Sequence, residues 1–83
     1  MERREVLKGF AEVAADQLGI TSDQVDEDAH FADDLGLDSL DLVEFVMALE
    51  ERFDISVPEE DLDGVDTVGQ ALTLVMGKLG ANA

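Results

Sequence analysis

Eighty-three residues with a formal net charge of −16 fit a single domain, 1–83, whose core is small, because a chain of this length buries only roughly 60% of its unfolded surface. Twenty-one acids against five bases argue against nucleic acid and anionic membranes as partners, and the lack of cysteine removes disulfides and thiolate metal sites. The 46% hydrophobic share is globular, yet the longest apolar run, Phe45-Val46-Met47-Ala48-Leu49, is too short for a membrane span or signal-peptide core.

In chain order, Met1-Glu2-Arg3-Arg4-Glu5 leads straight into an amphipathic segment rather than a targeting sequence, so a cytoplasmic protein is expected. A first helix is predicted from Glu2 to Leu18, with Val6, Leu7, Phe10, Val13 and Ala14 on one side and Glu5, Lys8, Glu12 and Asp16 on the other. Gly19 supplies its C-terminal cap. Thr21 with Gln24 fits a capping box and Ile20 with Val25 a hydrophobic staple, which predicts a short helical turn. Asp26 to Leu37 reads as a long irregular loop, pinned to the core by Ala29, Phe31, Leu35 and Leu37.

A central helix follows from Ser39 to Phe53 with Asp38 as N-cap. Pro58 in the first position, followed by Glu59, Glu60 and Asp61, predicts a short helix ended by Asp63-Gly64. Thr67 and Gln70 open a last helix in which Val68, Leu72, Val75, Met76 and Leu79 recur at helical spacing, and Gly80 is expected to stop it. The fold class is therefore all-α: a small bundle of three longer helices and one short one, with a long first loop.

The central helix carries two apolar stripes. At about 100° per residue, Leu42, Phe45, Val46, Leu49 and Phe53 share the core face, whereas Leu40 and Met47 fall nearly opposite, in line with Glu44 and Glu51, and Val43 lies on the flank. Apolar residues set among carboxylates downstream of a helix start make a docking surface, on which Asp41, Glu44, Glu50 and Glu51 attract basic patches. Met47 suits a surface that must fit many partners.

Of the three serines, Ser22 lies within the capped turn and Ser56 between Ile55 and Val57. Ser39 combines a helix start, a loop before it and flanking acids at Asp38 and Asp41. An anion esterified to that hydroxyl would lie near unpaired backbone N–H groups and the positive end of the helix dipole. Local physics leaves two readings open here, a modified serine and an ordinary helix-start serine.

Asp38-Ser39-Leu40 is similar to the attachment motif of acyl carrier proteins, and the likeness extends far beyond it. The segment from Phe31 to Glu44 resembles the family signature. Met47 to Ile55, Val57-Pro58-Glu59-Glu60 and Thr67-Val68-Gly69 continue it in register, so the resemblance covers essentially the whole chain. It implies a right-handed four-helix fold and a 4′-phosphopantetheine attached through phosphate to Ser39, with acyl groups carried as thioesters and no catalysis by the carrier. It further implies docking through Asp38, Leu40, Asp41, Val43, Glu44, Met47, Glu50 and Glu51, and as partners a phosphopantetheinyl transferase, an acyltransferase, a ketosynthase and other basic-faced acyl-chain enzymes. Leu37 departs from the commonest fatty-acid version, where alanine is frequent, and leaves the choice between fatty-acid and polyketide pathways open.

Two other classes fit less well. Glu59, Asp61, Asp63 and Gly64 match the start of a calcium-binding EF-hand loop, as an acidic calcium-binding or interaction module would require, but its last ligand position falls on Gln70. A hydrolase would need the glycine pair of a nucleophile elbow around Ser39, where residue 41 is aspartate. His30, the single histidine, reads as a surface loop residue. The crowded carboxylates oppose the compact state by self-repulsion, which also favours a monomer and a loosely held core that can open for an acyl chain. Added sodium chloride or divalent cation should therefore raise Tm in thermal denaturation, and a flat response would contradict this account.

Overall fold

In the computed structural model, which describes residues 2–81, the first apolar periodicity becomes α1 (Arg3–Leu18), with Val6, Phe10, Val13 and Ala14 buried. Met1 lies outside the described residues. Gly19 takes the left-handed conformation at φ 69° and ends the helix. Thr21 then opens a 3₁₀ turn at Ser22–Gln24, its N–H donating to the Gln24 side chain at 3.1 Å, while Ile20 and Val25 on either side are buried in the core.

The central periodicity becomes α2 (Ser39–Phe53) and the last α3 (Val68–Ala81), with a second 3₁₀ turn at Glu59–Leu62. The architecture is an all-α bundle, and no strand is formed among the described residues. An isolated antiparallel bridge joins His30 and Thr67. None of the described helices is long and apolar enough to cross a membrane.

Two local expectations are corrected. Pro58 stands one residue ahead of the short helix rather than in its first position, with an extended ψ of 150°. The segment is 3₁₀ rather than α, its first bond running from Asp61 N–H to Pro58 O at 3.0 Å. Four residues before a glycine turn leave no room for an α-helical ladder. Gly80 does not stop the last helix, which continues through it to Ala81. Gly80 is not among the positive-φ glycines, and a glycine caps a helix only where it turns left-handed.

The core joins the three helices and the long loop. All four phenylalanines of the chain form one aromatic string. Phe10 of α1 meets Phe45 of α2 edge to face at 5.8 Å and Phe53 at 6.4 Å, and Phe45 meets the loop residue Phe31 at 6.0 Å. Leu49 and Leu72 complete the fully buried centre. Burying each such side chain is worth about 1.5–3 kcal/mol. An exposed ion pair is worth about 0–1 kcal/mol, so Arg3–Glu27, Arg52–Glu12 and Lys78–Asp61 orient elements more than they stabilise them.

The long loop is held by α3. Phe31 N–H donates to Asp66 O at 2.9 Å, and the α3 amides of Val68 and Gly69 donate to Ala29 O and Glu27 O at 3.0 and 2.9 Å. Those two amides belong to the first helical turn, where no intrahelical acceptor exists, and the loop carbonyls supply the partner. The approach is close enough to require glycine, since a Cβ on residue 69 would meet Glu27 O at 2.9 Å. Arg3 locks the junction, donating to the Glu27 carboxylate at 2.7 Å, to Thr73 Oγ1 at 3.2 Å and to Gly69 O at 3.3 Å.

Candidate functional site

The loop turns back on itself before α2. Leu37 N–H donates to Phe31 O at 2.9 Å, and the Asp34 and Leu35 amides donate to His30 O at 3.0 and 3.1 Å. The chain thereby leaves the bundle at Asp38 and re-enters it as α2. Asp38 is the N-cap: its carboxylate accepts the Asp41 N–H at 2.8 Å, and the Asp41 carboxylate accepts the Asp38 N–H at 3.3 Å. This is a capping box closed by aspartate instead of the usual glutamate or glutamine.

Ser39 is the first residue of α2 and is exposed. Ser22 and Ser56 are exposed too, so accessibility alone does not single it out. What does is the cleft of about 420 Å³ that Ser39 lines together with His30, Phe31, Leu37, Leu42, Val65 and the acids Asp33, Asp38 and Asp66. An exposed hydroxyl at a helix start, opening onto a cleft with apolar walls, fits a phosphate-linked arm: the helix terminus favours the anion and the cleft offers surface to the remainder of the arm.

Leu40 and Met47 are 66% and 58% exposed, and Glu44 and Glu51 beside them are exposed as well. Phe45, Val46 and Leu49 point inward and are buried, while Leu42 and Phe53 pack partly buried against the core. The two stripes thus lie on opposite sides of α2, as their spacing requires. A groove of about 630 Å³ runs along the outer side, lined by Gln17 of α1 and by Glu44, Met47, Ala48, Glu50 and Glu51. Val43 is half-buried on the flank.

The eight expected docking residues do not form one uniform class. Asp38 and Asp41 are engaged in capping, and Glu50 is half-buried with its carboxylate accepting the Val57 N–H at 3.0 Å. Glu50 thereby holds the segment after α2, beyond the left-handed cap residue Asp54 at φ 54°. Sequence reasoning missed this role, because the bond links a helical side chain to a main-chain N–H beyond the helix end, which periodicity does not report.

His30 is an exposed loop residue, as the sequence suggests, but sequence reasoning gave it no further part. It sits on the wall of the Ser39 cleft, with its main-chain N–H donating to Asp34 Oδ2 at 2.7 Å and its ring Nδ1 3.4 Å from the same oxygen. The main-chain bond, followed by the imidazole, holds the Asp34 carboxyl below the usual aspartate range. A depressed carboxyl stabilises the fold above its unfolded value and loses that contribution as pH falls through the folded one. Arg3 lowers the Glu27 carboxyl in the same sense, chiefly by direct hydrogen bonding.

The twelve residues that matched an EF-hand do not form one loop. They comprise the 3₁₀ turn Glu59–Leu62, the turn at Gly64 and the first residues of α3, with Gln70 N–H bonded to the capping oxygen of Thr67 at 3.2 Å.

The family profile described as phosphopantetheine attachment site matches residues 8–75. An acyl carrier protein of Prochlorococcus marinus is 45% identical over 80 residues, covering 96% of this chain and all of its own length. One from a Sulfurovum species is 50% identical over 64 residues, with 77% of this chain and 85% of the relative covered. One from Saccharopolyspora erythraea is 43% identical over 76 residues, covering 92% and 80%. The crystal structure of an acyl carrier protein from Thermotoga maritima superimposes with a TM-score of 0.88 at 30% identity, covering 100% of this chain and 96% of that one.

The N-cap is open to test. Asp38→Ala removes the acceptor for Asp41 N–H and should cost about 0.5–2 kcal/mol in urea unfolding. Asp38→Ser should recover most of that loss.

Proposed function

We propose, from the premise that this chain belongs to the acyl carrier protein family, that Ser39 is the residue to which its 4′-phosphopantetheine is esterified. The protein is a non-catalytic acyl carrier that works with enzymes of fatty-acid or polyketide biosynthesis. The observation carrying the assignment is that Ser39 lies inside the matched segment at the exposed start of α2, on the edge of the cleft. When bound, the group supplies a thiol on a flexible arm, on which acyl chains ride as thioesters. The chain's own part is to present the hydroxyl, to favour the phosphate through the α2 N-terminus, and to offer apolar surface at Phe31, Leu37, Leu42 and Val65.

The same reading makes the outer side of α2 the docking surface, with residues 1–83 acting as one carrier domain in the cytoplasm and as a monomer. Leu40, Met47 and Val43 provide apolar contact, while Glu44 and Glu51, free of capping duties, steer basic-faced partners. Asp38, Asp41 and Glu50 contribute negative field while holding the helix ends. The partners are the phosphopantetheinyl transferase, an acyltransferase, a ketosynthase and other acyl-chain enzymes. Each must bind briefly and let go, which charge steering permits, since it raises association rates without demanding tight contact.

Intact mass after incubation with a phosphopantetheinyl transferase and coenzyme A tests the attachment. The wild type should gain one phosphopantetheine and Ser39→Ala none; equal gains on both would end the assignment. For docking, Glu44→Lys should raise KM for that transferase several-fold at low salt, with the difference closing toward 0.5 M sodium chloride as screening takes over (about 3 Å at 1 M). Met47→Ala should raise it at every salt concentration. Surface positions such as these should move stability by no more than about 0.5 kcal/mol.

A further inference from the structure

We propose that Asp63 is a site of spontaneous modification, which isomerises to isoaspartate through a succinimide closed by the Gly64 nitrogen, and that the product slackens the tie between the long loop and α3. The site is a four-residue turn. Val65 N–H donates to Leu62 O at 3.0 Å, Asp63 has φ −60° and ψ 125°, and Gly64 has φ 81°. These values make a type II turn, whose third position needs a positive φ and therefore glycine. Both central residues are exposed. Among the described hydrogen bonds, none engages the Asp63 carbonyl, the Asp63 carboxylate or the Gly64 N–H. The peptide plane between the two residues can therefore rotate without breaking a bond.

Rotation of ψ away from 125° swings the Gly64 nitrogen over the Asp63 side chain, and glycine has no Cβ to obstruct the swing. The nitrogen attacks Cγ of the protonated carboxyl; the carboxyl hydroxyl and the amide proton leave together as water, closing a five-membered ring. Water then reopens it. Cleavage of the new Cγ–N bond restores aspartate. Cleavage of the original bond between the α-carbonyl carbon and nitrogen leaves the main chain running through Cγ, one carbon longer, with a free α-carboxylate. Two other aspartates precede small residues, and their planes are held. Asp38 O accepts the Leu42 N–H at 3.0 Å while its carboxylate accepts the Asp41 N–H at 2.8 Å, and Ala29, after Asp28, donates its N–H to Asp26 O at 3.0 Å. The added carbon falls inside the turn that Leu62 and Val65 close. Immediately beyond it, Val65 lines the Ser39 cleft and Asp66 O accepts the Phe31 N–H at 2.9 Å, so a longer chain here loosens that bond.

The test follows the full chain held for weeks at neutral pH and body temperature, native and in urea. Digestion with an endoprotease that cuts before aspartate but not before isoaspartate, with electron-transfer fragmentation to place the change, reads each position. In the native protein, resistance ahead of residue 63 should grow steadily, nearly as fast as in urea, because no bond protects the plane. Residues 28 and 38 should convert several-fold faster in urea than in the native protein. Asp63→Glu should show no conversion at this position, since it would need a six-membered ring. Hydrogen exchange of the Phe31 amide should be several-fold faster in the isomerised fraction than in fresh protein. No isoaspartate at residue 63 in the native chain, or an acceleration there by urea as large as at residue 38, would overturn the site. A Phe31 amide exchanging at the fresh rate in the isomerised fraction would overturn its coupling to the loop.

Discussion

Three main-chain hydrogen bonds between residues 27–31 and 66–69 fix the geometry on which the site depends. Without them, the connection between α1 and α2 would be anchored only by side chains, and the start of α2 would have no defined relation to α3. With them, Phe31 is driven into the core against Phe45, at 6.0 Å. The neighbouring residues His30, Ala32 and Asp33 then become one wall of the cleft that Ser39 lines. The tie costs little backbone satisfaction, because it gives acceptors to the α3 amides of Val68 and Gly69, which lack them by the nature of a helix terminus.

Charge sets the second constraint. Five bases must serve a chain with twenty-one acids, and three of them bridge separate elements: Arg3 joins α1 to the loop and α3, Arg52 joins α2 to α1 at 2.6 Å, and Lys78 joins α3 to the second 3₁₀ turn at 2.8 Å. These pairs are partly exposed and add little stability each. Their placement leaves the outer side of α2, with Glu44 and Glu51, as a one-signed surface. A carrier that works with several enzymes is served by this division, with cohesion left to apolar burial and the charge of α2 left unneutralised for the proposed docking.

Features set by neighbours in sequence were legible without coordinates. The helix spans, the Asp38 N-cap, both threonine capping boxes and the opposed stripes of α2 follow from periods and spacings of three or four residues. The proposal that the arm attaches at Ser39 owes its residue choice to resemblance, since an exposed helix-start serine is by itself commonplace. Three further features escaped. The left-handed cap at Asp54 falls on a residue other than glycine, the bond from Glu50 to Val57 crosses the helix end, and the position of His30 on the cleft wall depends on where α2 packs. The two local misreadings, at Pro58 and Gly80, share a cause: a residue that can start or stop a helix does so only if the chain around it takes the required conformation.

The carboxylates of α2 therefore fall into two kinds that charge alone cannot separate. Asp38, Asp41 and Glu50 have their oxygens committed to backbone N–H groups at 2.8–3.3 Å. Removing one of them disturbs a helix end before it weakens any partner. Glu44 and Glu51 are exposed beside Leu40 and Met47, so charge changes there touch the proposed docking surface with little effect on the fold. A loss of partner affinity on mutating Asp38 or Glu50 would then confound the shape of α2 with its field. The exposed glutamates report the field alone, and the sequence, in which all five read as one acidic helix, gives no sign of the distinction.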